Sequence, residues 1–116
     1  MQIRDWQKEV DQWITTVGVR YFDIKTNTIL LMEEVGEVAR LVARIHGEQS
    51  FKNHLSVEEQ QNKLKEEIAD VLFVITCIAN QSGIDLDAAL KENIEKKSNR
   101  DAKRHQGNPK LKGPLL

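Results

Sequence analysis

Proline is almost missing from this chain: Pro109 and Pro114 are the only two, and both fall in the tail. Nothing upstream is therefore interrupted by a lost backbone donor or a ring clash, and long helices are permitted. Cysteine is limited to Cys77, which excludes an intramolecular disulfide. Inside an apolar run it reads as a small buried hydrophobe, consistent with a reducing, cytoplasmic setting. No apolar run reaches bilayer-spanning length, and Met1-Gln2-Ile3-Arg4-Asp5 does not open like a secretory signal, so no membrane role is expected. A net charge of −1 gives no general field to attract nucleic acid, and none is expected as a partner. Sustained period-two alternation is also missing. What remains is an all-α chain of a length that suits one domain.

Apolar residues at three- and four-residue spacing mark four helices. The first covers about 3–17, with Ile3, Trp6, Val10, Trp13, Ile14 and Val17 in one stripe. Asp23 is placed to cap a second over 24–46, with Ile24, Thr28, Leu31, Val35, Val38 and Val42 on one face. Ser56 and Glu59 form a capping box for a third over 57–81, and Asp85 caps a fourth over about 86–104, with Leu86, Ala89, Leu90 and Ile94 inward. From Ile68 to Ala79 ten of twelve residues are apolar. A helix apolar nearly all round must be buried on several sides. Its face of Phe73, Val74, Cys77 and Ile78 is expected to be left wet in a single subunit, which predicts a homo-oligomer, either a dimer or a tetramer. The domain is expected to span 1–106, with 107–116 a mobile C-terminal tail.

Two acidic clusters stand inside this apolar pattern. Leu31-Met32-Glu33-Glu34-Val35-Gly36-Glu37 puts Glu34 and Glu37 on one helical face, and Glu66-Glu67-Ile68-Ala69-Asp70-Val71-Leu72-Phe73 does the same for Glu67 and Asp70. A solvated acidic face is the plain alternative for either cluster alone. Asp70, however, sits within the apolar run, where an unpartnered Asp is rare. Gly36 costs roughly 1 kcal/mol in a helix interior relative to Ala, and allows another backbone or a ligand to come close. Packed face to face, the two helices bring four carboxylates together. Such a nest needs a cation, and all-oxygen donors suit Mg²⁺ or Mn²⁺ before Zn²⁺. A di-iron carboxylate site is the competitor, but it uses Glu-x-x-His pairs, and no Glu here has a His three residues on. His46, His54 and His105 read as surface histidines.

Glu33-Glu34-x-x-Glu37 followed by Glu67-x-x-Asp70 resembles the signature of the MazG-like nucleotide pyrophosphohydrolases, within the all-α NTP pyrophosphatase group. The likeness runs from about Trp6 to Arg104. It implies a four-helix, bundle-like subunit that assembles as a homo-oligomer. It also implies Mg²⁺ (with Mn²⁺ as substitute) held by Glu34, Glu37, Glu67 and Asp70, and Glu33 and Glu34 as catalytic groups, Glu33 assisting a metal or orienting water. The implied reaction takes a nucleoside triphosphate and water to the monophosphate and pyrophosphate, in cleaning of the nucleotide pool. Lys96-Lys97-Ser98-Asn99-Arg100-Asp101, then Arg104, matches the family's basic fourth helix, so Lys96, Asn99, Arg100 and Arg104 are the expected substrate contacts. Eight of the 17 basic residues lie between Lys91 and Lys112, and a basic solvated helix end is the plain alternative. Trp6 and Trp13 are the aromatic faces on which a base could stack, although their helical spacing suits core packing for at least one. Arg40 and Arg44 are expected to make surface or intersubunit pairs. Two rival functions remain at this stage. One is a non-catalytic helical partner-binding or regulatory module that keeps the acidic patch. The other is a nucleic-acid binder using the basic fourth helix, against which the balanced charge argues.

Overall fold

The computed structural model describes residues 1–114. Every regular element among them is helical: α1 (Ile3–Thr16), α2 (Ile24–His46), α3 (Val57–Gln81), α4 (Leu86–Arg100), the short α5 (Ala102–Gln106), and a 3₁₀ turn at Pro109–Leu111. The chain divides into two compact units, Met1–Ile84 and the segment from Asp85 onward. No single helix among the described residues is long and apolar enough to cross a membrane.

Local chemistry sets the helix ends. Asp23 accepts from the Thr26 N–H at 2.9 Å, and Ser56 and Glu59 exchange the two bonds of a capping box. Those bonds from Thr26 hold the Asp23 carboxyl below its ordinary range. Asp85 accepts from the N–H groups of Asp87 and Ala88. After α3 the chain turns through Gly83 at φ +67°, a conformation that glycine adopts without a Cβ penalty. The expected fourth helix is interrupted: Asp101 ends α4 and leads into α5. Within the tail, Asn108 caps the 3₁₀ turn through the Lys110 N–H; residues 115 and 116 lie outside the described residues.

In the first unit α1 and α2 both pack on α3. Val10 and Ile14 of α1 meet Cys77 of α3, with Trp6, Tyr21 and Phe73 packed around them. Leu41 of α2 is 1% exposed. Polar ties lock the C-terminal end of α3. Asn80 Nδ2 donates to the Gln7 carbonyl and to Tyr21 Oη, while Tyr21 Oη donates to Asp11 Oδ1 at 2.7 Å. Burial, and then the bond to Asp11, push the Tyr21 hydroxyl up to about 12. Gln81 Nε2 donates to the Phe22 carbonyl at 2.6 Å, and Gln81 Oε1 accepts from Asn27 Nδ2 at 2.7 Å.

Two faces differ from expectation. On α2 the inward stripe is Asn27, Leu31, Glu34, Val38, Leu41 and Ile45, whereas Ile24, Val35 and Val42 are exposed. Counting only apolar residues skips Asn27 and Glu34, which occupy inward positions, and so rotates the stripe. On α3 the face of Val74 and Cys77 is buried rather than wet, because α1 covers it. Within its apolar run, the large apolar side chains left in solvent are Ile68, Leu72 and Ile75, at 46%, 52% and 38% exposure. In the second unit Leu90 and Ile94 are exposed as well.

Candidate metal and nucleotide site

Glu34 enters from the inward stripe of α2, and Glu67 and Asp70 from one face of α3. One carboxylate oxygen from each lies within 4.8 Å of the other two. Glu34 and Glu67 are half-buried and Asp70 is exposed. None of the three meets a cationic side chain among the described residues. Glu67 Oε2 is buried without any hydrogen-bond partner, an arrangement that costs about 1–3 kcal/mol or more for a charged group. The Glu34 carboxyl is pushed above its ordinary range, first by burial, next by its hydrogen bond with Glu67, then by the charges of Asp70, Glu67 and Glu37. Three anions, oxygen-only donors and an orphaned buried oxygen fit a hard divalent cation.

The other expected site residues divide. Glu37 acts on Glu34 through its charge, but it stands outside the trio. Its Oε2 instead takes Arg40 Nη2 at 2.9 Å and Arg40 Nε at 3.0 Å, so Arg40 makes an intrachain pair. Glu33 is exposed on α2 beside Glu34. Lys96, Asn99 and Arg100 share one face of α4 in the second unit, lining a shallow concavity with Glu92 and Glu95. Arg100 and Arg104 both pair with Asp101. Trp6 is committed to the core: its indole N–H donates to Thr76 Oγ1 at 2.8 Å, and its ring meets Phe73 edge-on with centroids 6.4 Å apart.

Trp13 has the opening that Trp6 lacks. It is 49% exposed and stands edge-on to Phe73, with ring centroids 5.8 Å apart. It borders a cavity of about 310 Å³ with Tyr21, Phe22, Leu30, Phe73 and Val74. Leu30 lies one turn before Glu34, and Val74 one turn after Asp70, so the cavity adjoins the trio. Asn27 also lines it and is 4% exposed. Because Gln81 must donate to the Phe22 carbonyl, its oxygen faces Asn27 and forces that amide to donate; Asn27 Oδ1 is left as the acceptor. Sequence reasoning passed over Asn27. The available signal was a polar residue in register with Leu31, Val38 and Leu41.

A family model described as the MazG nucleotide pyrophosphohydrolase domain matches residues 22–105. YpjD of Bacillus subtilis is 37% identical over 102 residues, covering 88% of each chain. The crystal structure of YpjD aligns with a TM-score of 0.72 at 36% identity, covering 87% of this chain and 97% of that one. A structure described as the Bacillus-conserved MazG protein, a nucleotide pyrophosphohydrolase, aligns with a TM-score of 0.70 at 35% identity, covering 89% and 96%.

Proposed function

Since the chain belongs to the MazG nucleotide pyrophosphohydrolase family, we propose that it hydrolyses nucleoside triphosphates to the monophosphate and pyrophosphate, with Mg²⁺ at the acidic trio. The observation that carries this reading is the unpaired set of Glu34, Glu67 and Asp70, with Glu67 Oε2 buried and orphaned. Glu34, Glu67 and Asp70 would hold the ion, with Glu37, now bonded to Arg40, as the fourth carboxylate. Bound there, a divalent cation supplies charge neutralisation of the phosphates and acidifies water.

The chain's own groups do the rest. Glu33 orients the water that attacks the α-phosphorus, and the bond from that phosphorus to the bridging oxygen of pyrophosphate breaks. Glu34 takes the proton that the water loses. Trp13 offers its exposed face to the base in the aromatic cavity, and Asn27 Oδ1 accepts an N–H from it. By the family resemblance, Lys96, Asn99, Arg100 and Arg104 are the proposed phosphate and sugar contacts of α4 and α5. The substrates in this reading are non-standard or surplus triphosphates of the cytoplasmic nucleotide pool, and Mn²⁺ substitutes for Mg²⁺.

The active form in this reading is a homo-oligomer. Six apolar residues are buried among those described: Val10, Ile14, Leu41, Val74, Cys77 and Ala79. The stripe of Ile68, Leu72 and Ile75 on α3 and that of Ile29, Met32 and Val35 on α2 are exposed. Contiguous apolar surface of this kind marks an interface, and a two-fold pairing buries it symmetrically. A pyrophosphate-release assay across nucleotides, with Mg²⁺ and with EDTA, tests the activity: Mg²⁺-dependent release is expected, and no release from any nucleotide refutes the reading.

A further inference from the structure

The loop between α2 and α3 borders a second cavity in the first unit, open to solvent and of about 360 Å³, in which Arg40, Arg44, Lys52 and Lys63 stand around Phe51 and Asn53. No carboxylate lines it. Arg40 is paired with Glu37, but Arg44, Lys52 and Lys63 meet no carboxylate among the described residues. Like charges converging on a concave surface repel one another and focus a positive potential into it. An anion relieves both. The loop is anchored where it delivers these groups: Gln60 Nε2 donates to the Leu55 carbonyl at 3.0 Å, and Ser56 caps α3.

The place of this cavity says which anion. Lys63 lies one turn before Glu67 on the same face of α3, a rise of about 6 Å. Arg40 holds Glu37, one turn along α2 from Glu34. The cationic cavity therefore flanks the acidic trio on the side of the α2 C-terminus. The aromatic cavity of Leu30, Phe73 and Val74 flanks it on the other side. Aromatic, acidic and cationic surfaces follow one another along the α2–α3 pair. A nucleoside triphosphate has a matching order of base, α-phosphate and terminal diphosphate.

We propose that the Arg40–Arg44–Lys52–Lys63 cavity binds a polyphosphate chain, and that in turnover it receives the β- and γ-phosphates of the substrate. This assignment rests on the hydrolase reading above for its second half only. It places the cleaved α–β bond at the trio and leaves pyrophosphate in the cationic cavity as the leaving group. It is a set of contacts separate from those expected on α4.

Inorganic tripolyphosphate is the probe, titrated by calorimetry into the full-length chain in EDTA, where no divalent cation can bridge it to the carboxylates. Wild type is expected to bind. The Arg44→Ala/Lys63→Ala double variant, and separately Lys52→Ala on the loop, should weaken binding about tenfold or more, as loss of one or more charge-assisted hydrogen bonds requires. Lys25→Ala, a charge-matched control on the exposed start of α2, should leave it unchanged. In turnover with Mg²⁺, KM for the triphosphate and the inhibition constant for pyrophosphate should rise together in the double variant, while inhibition by the nucleoside monophosphate stays constant. Tripolyphosphate affinity unchanged in both cavity variants overturns the site. Lost tripolyphosphate affinity with an unchanged KM overturns its assignment to the substrate's terminal phosphates. The EDTA arm reads the cavity whether or not any triphosphate is hydrolysed, so failure of the hydrolase reading is separable from failure of this one.

Discussion

Replacing Glu34 by Gln in the metal-free protein tests the trio directly. One of its oxygens lies within 4.8 Å of an oxygen of Glu67 and of an oxygen of Asp70. At that distance two unit charges repel by roughly 1 kcal/mol in a water-like dielectric, and by about 3–4 kcal/mol at an effective dielectric of 20. Asp70 is exposed and its charge is partly screened, so a net stabilisation on the order of 1–3 kcal/mol is expected at pH 8. The sign follows from Glu34 itself. Burial first, then the bond with Glu67 and the neighbouring charges, raise its proton affinity in the folded state. The folded chain thus holds this proton more tightly than the unfolded chain. The corresponding stability is fully present below the ordinary glutamate range and is lost as pH rises through the raised value. Gln has no proton to lose. Thermal melts of the two proteins in EDTA should nearly coincide at pH 4 and separate toward pH 8, with Glu34→Gln higher by several degrees per kcal/mol. Mg²⁺ with a nucleotide should reverse the order by stabilising wild type, and turnover should vanish in the variant. A variant that melts at or below wild type at pH 8 in EDTA, or a gap that does not change with pH, refutes the reasoning.

Leu72→Asp puts a charge in the middle of the exposed stripe of α3 and should split the oligomer and remove activity together; light scattering that finds fully active wild-type monomer at micromolar concentration contradicts this. Val19 is the one non-glycine residue described with positive φ, at 72°. Val19→Gly should therefore raise the melting temperature, since the left-handed conformation costs an L-residue roughly 1–2 kcal/mol. Thr76 is 1% exposed, donates to the Leu72 carbonyl at 2.6 Å and accepts from Trp6. Thr76→Val leaves the indole N–H unpaired, at a cost of about 1–3 kcal/mol, which chemical denaturation followed by Trp fluorescence will report. Gly36 has nothing within 4 Å of where a Cβ would stand, so Gly36→Ala should stabilise the isolated chain by about 1 kcal/mol. If a second copy or a ligand approaches α2 there, the same change should weaken assembly or KM; neither effect would mean that Gly36 serves no close approach.

The elements were legible because their signals are local. Asp23, Ser56 with Glu59, and Asp85 cap helices through their own sequence neighbours, and Gly83 supplies the positive φ after α3. The break at Asp101 was not legible, because Ser98, Asn99 and Asp101 are only mildly unfavourable in a helix and the Lys, Arg and Ala residues around them favour one, while the interruption lies in the backbone there. Glu67 and Asp70 could be placed on one helical face from their three-residue spacing, and Glu34 from the same spacing in its own motif. Glu37 shares that motif and that face. Its place beside Arg40 is decided by a competition between a cation three residues away and an acidic nest that repels it. Spacing gives reach but not the winner of such a competition. The same gap explains Asn27. A pattern built from apolar residues assigns polar ones outward, whereas a buried amide with a fixed partner fits an inward position at little cost. The cationic cavity was invisible for a different reason. Lys52 comes from a loop with no periodicity, and Arg40, Arg44 and Lys63 come from two helices, so their convergence is a property of packing. The residues hardest to read from the sequence are thus those whose polar groups were set by tertiary contacts. In this chain they surround the trio on both sides: Asn27 in the aromatic cavity, and four cations toward the end of α2.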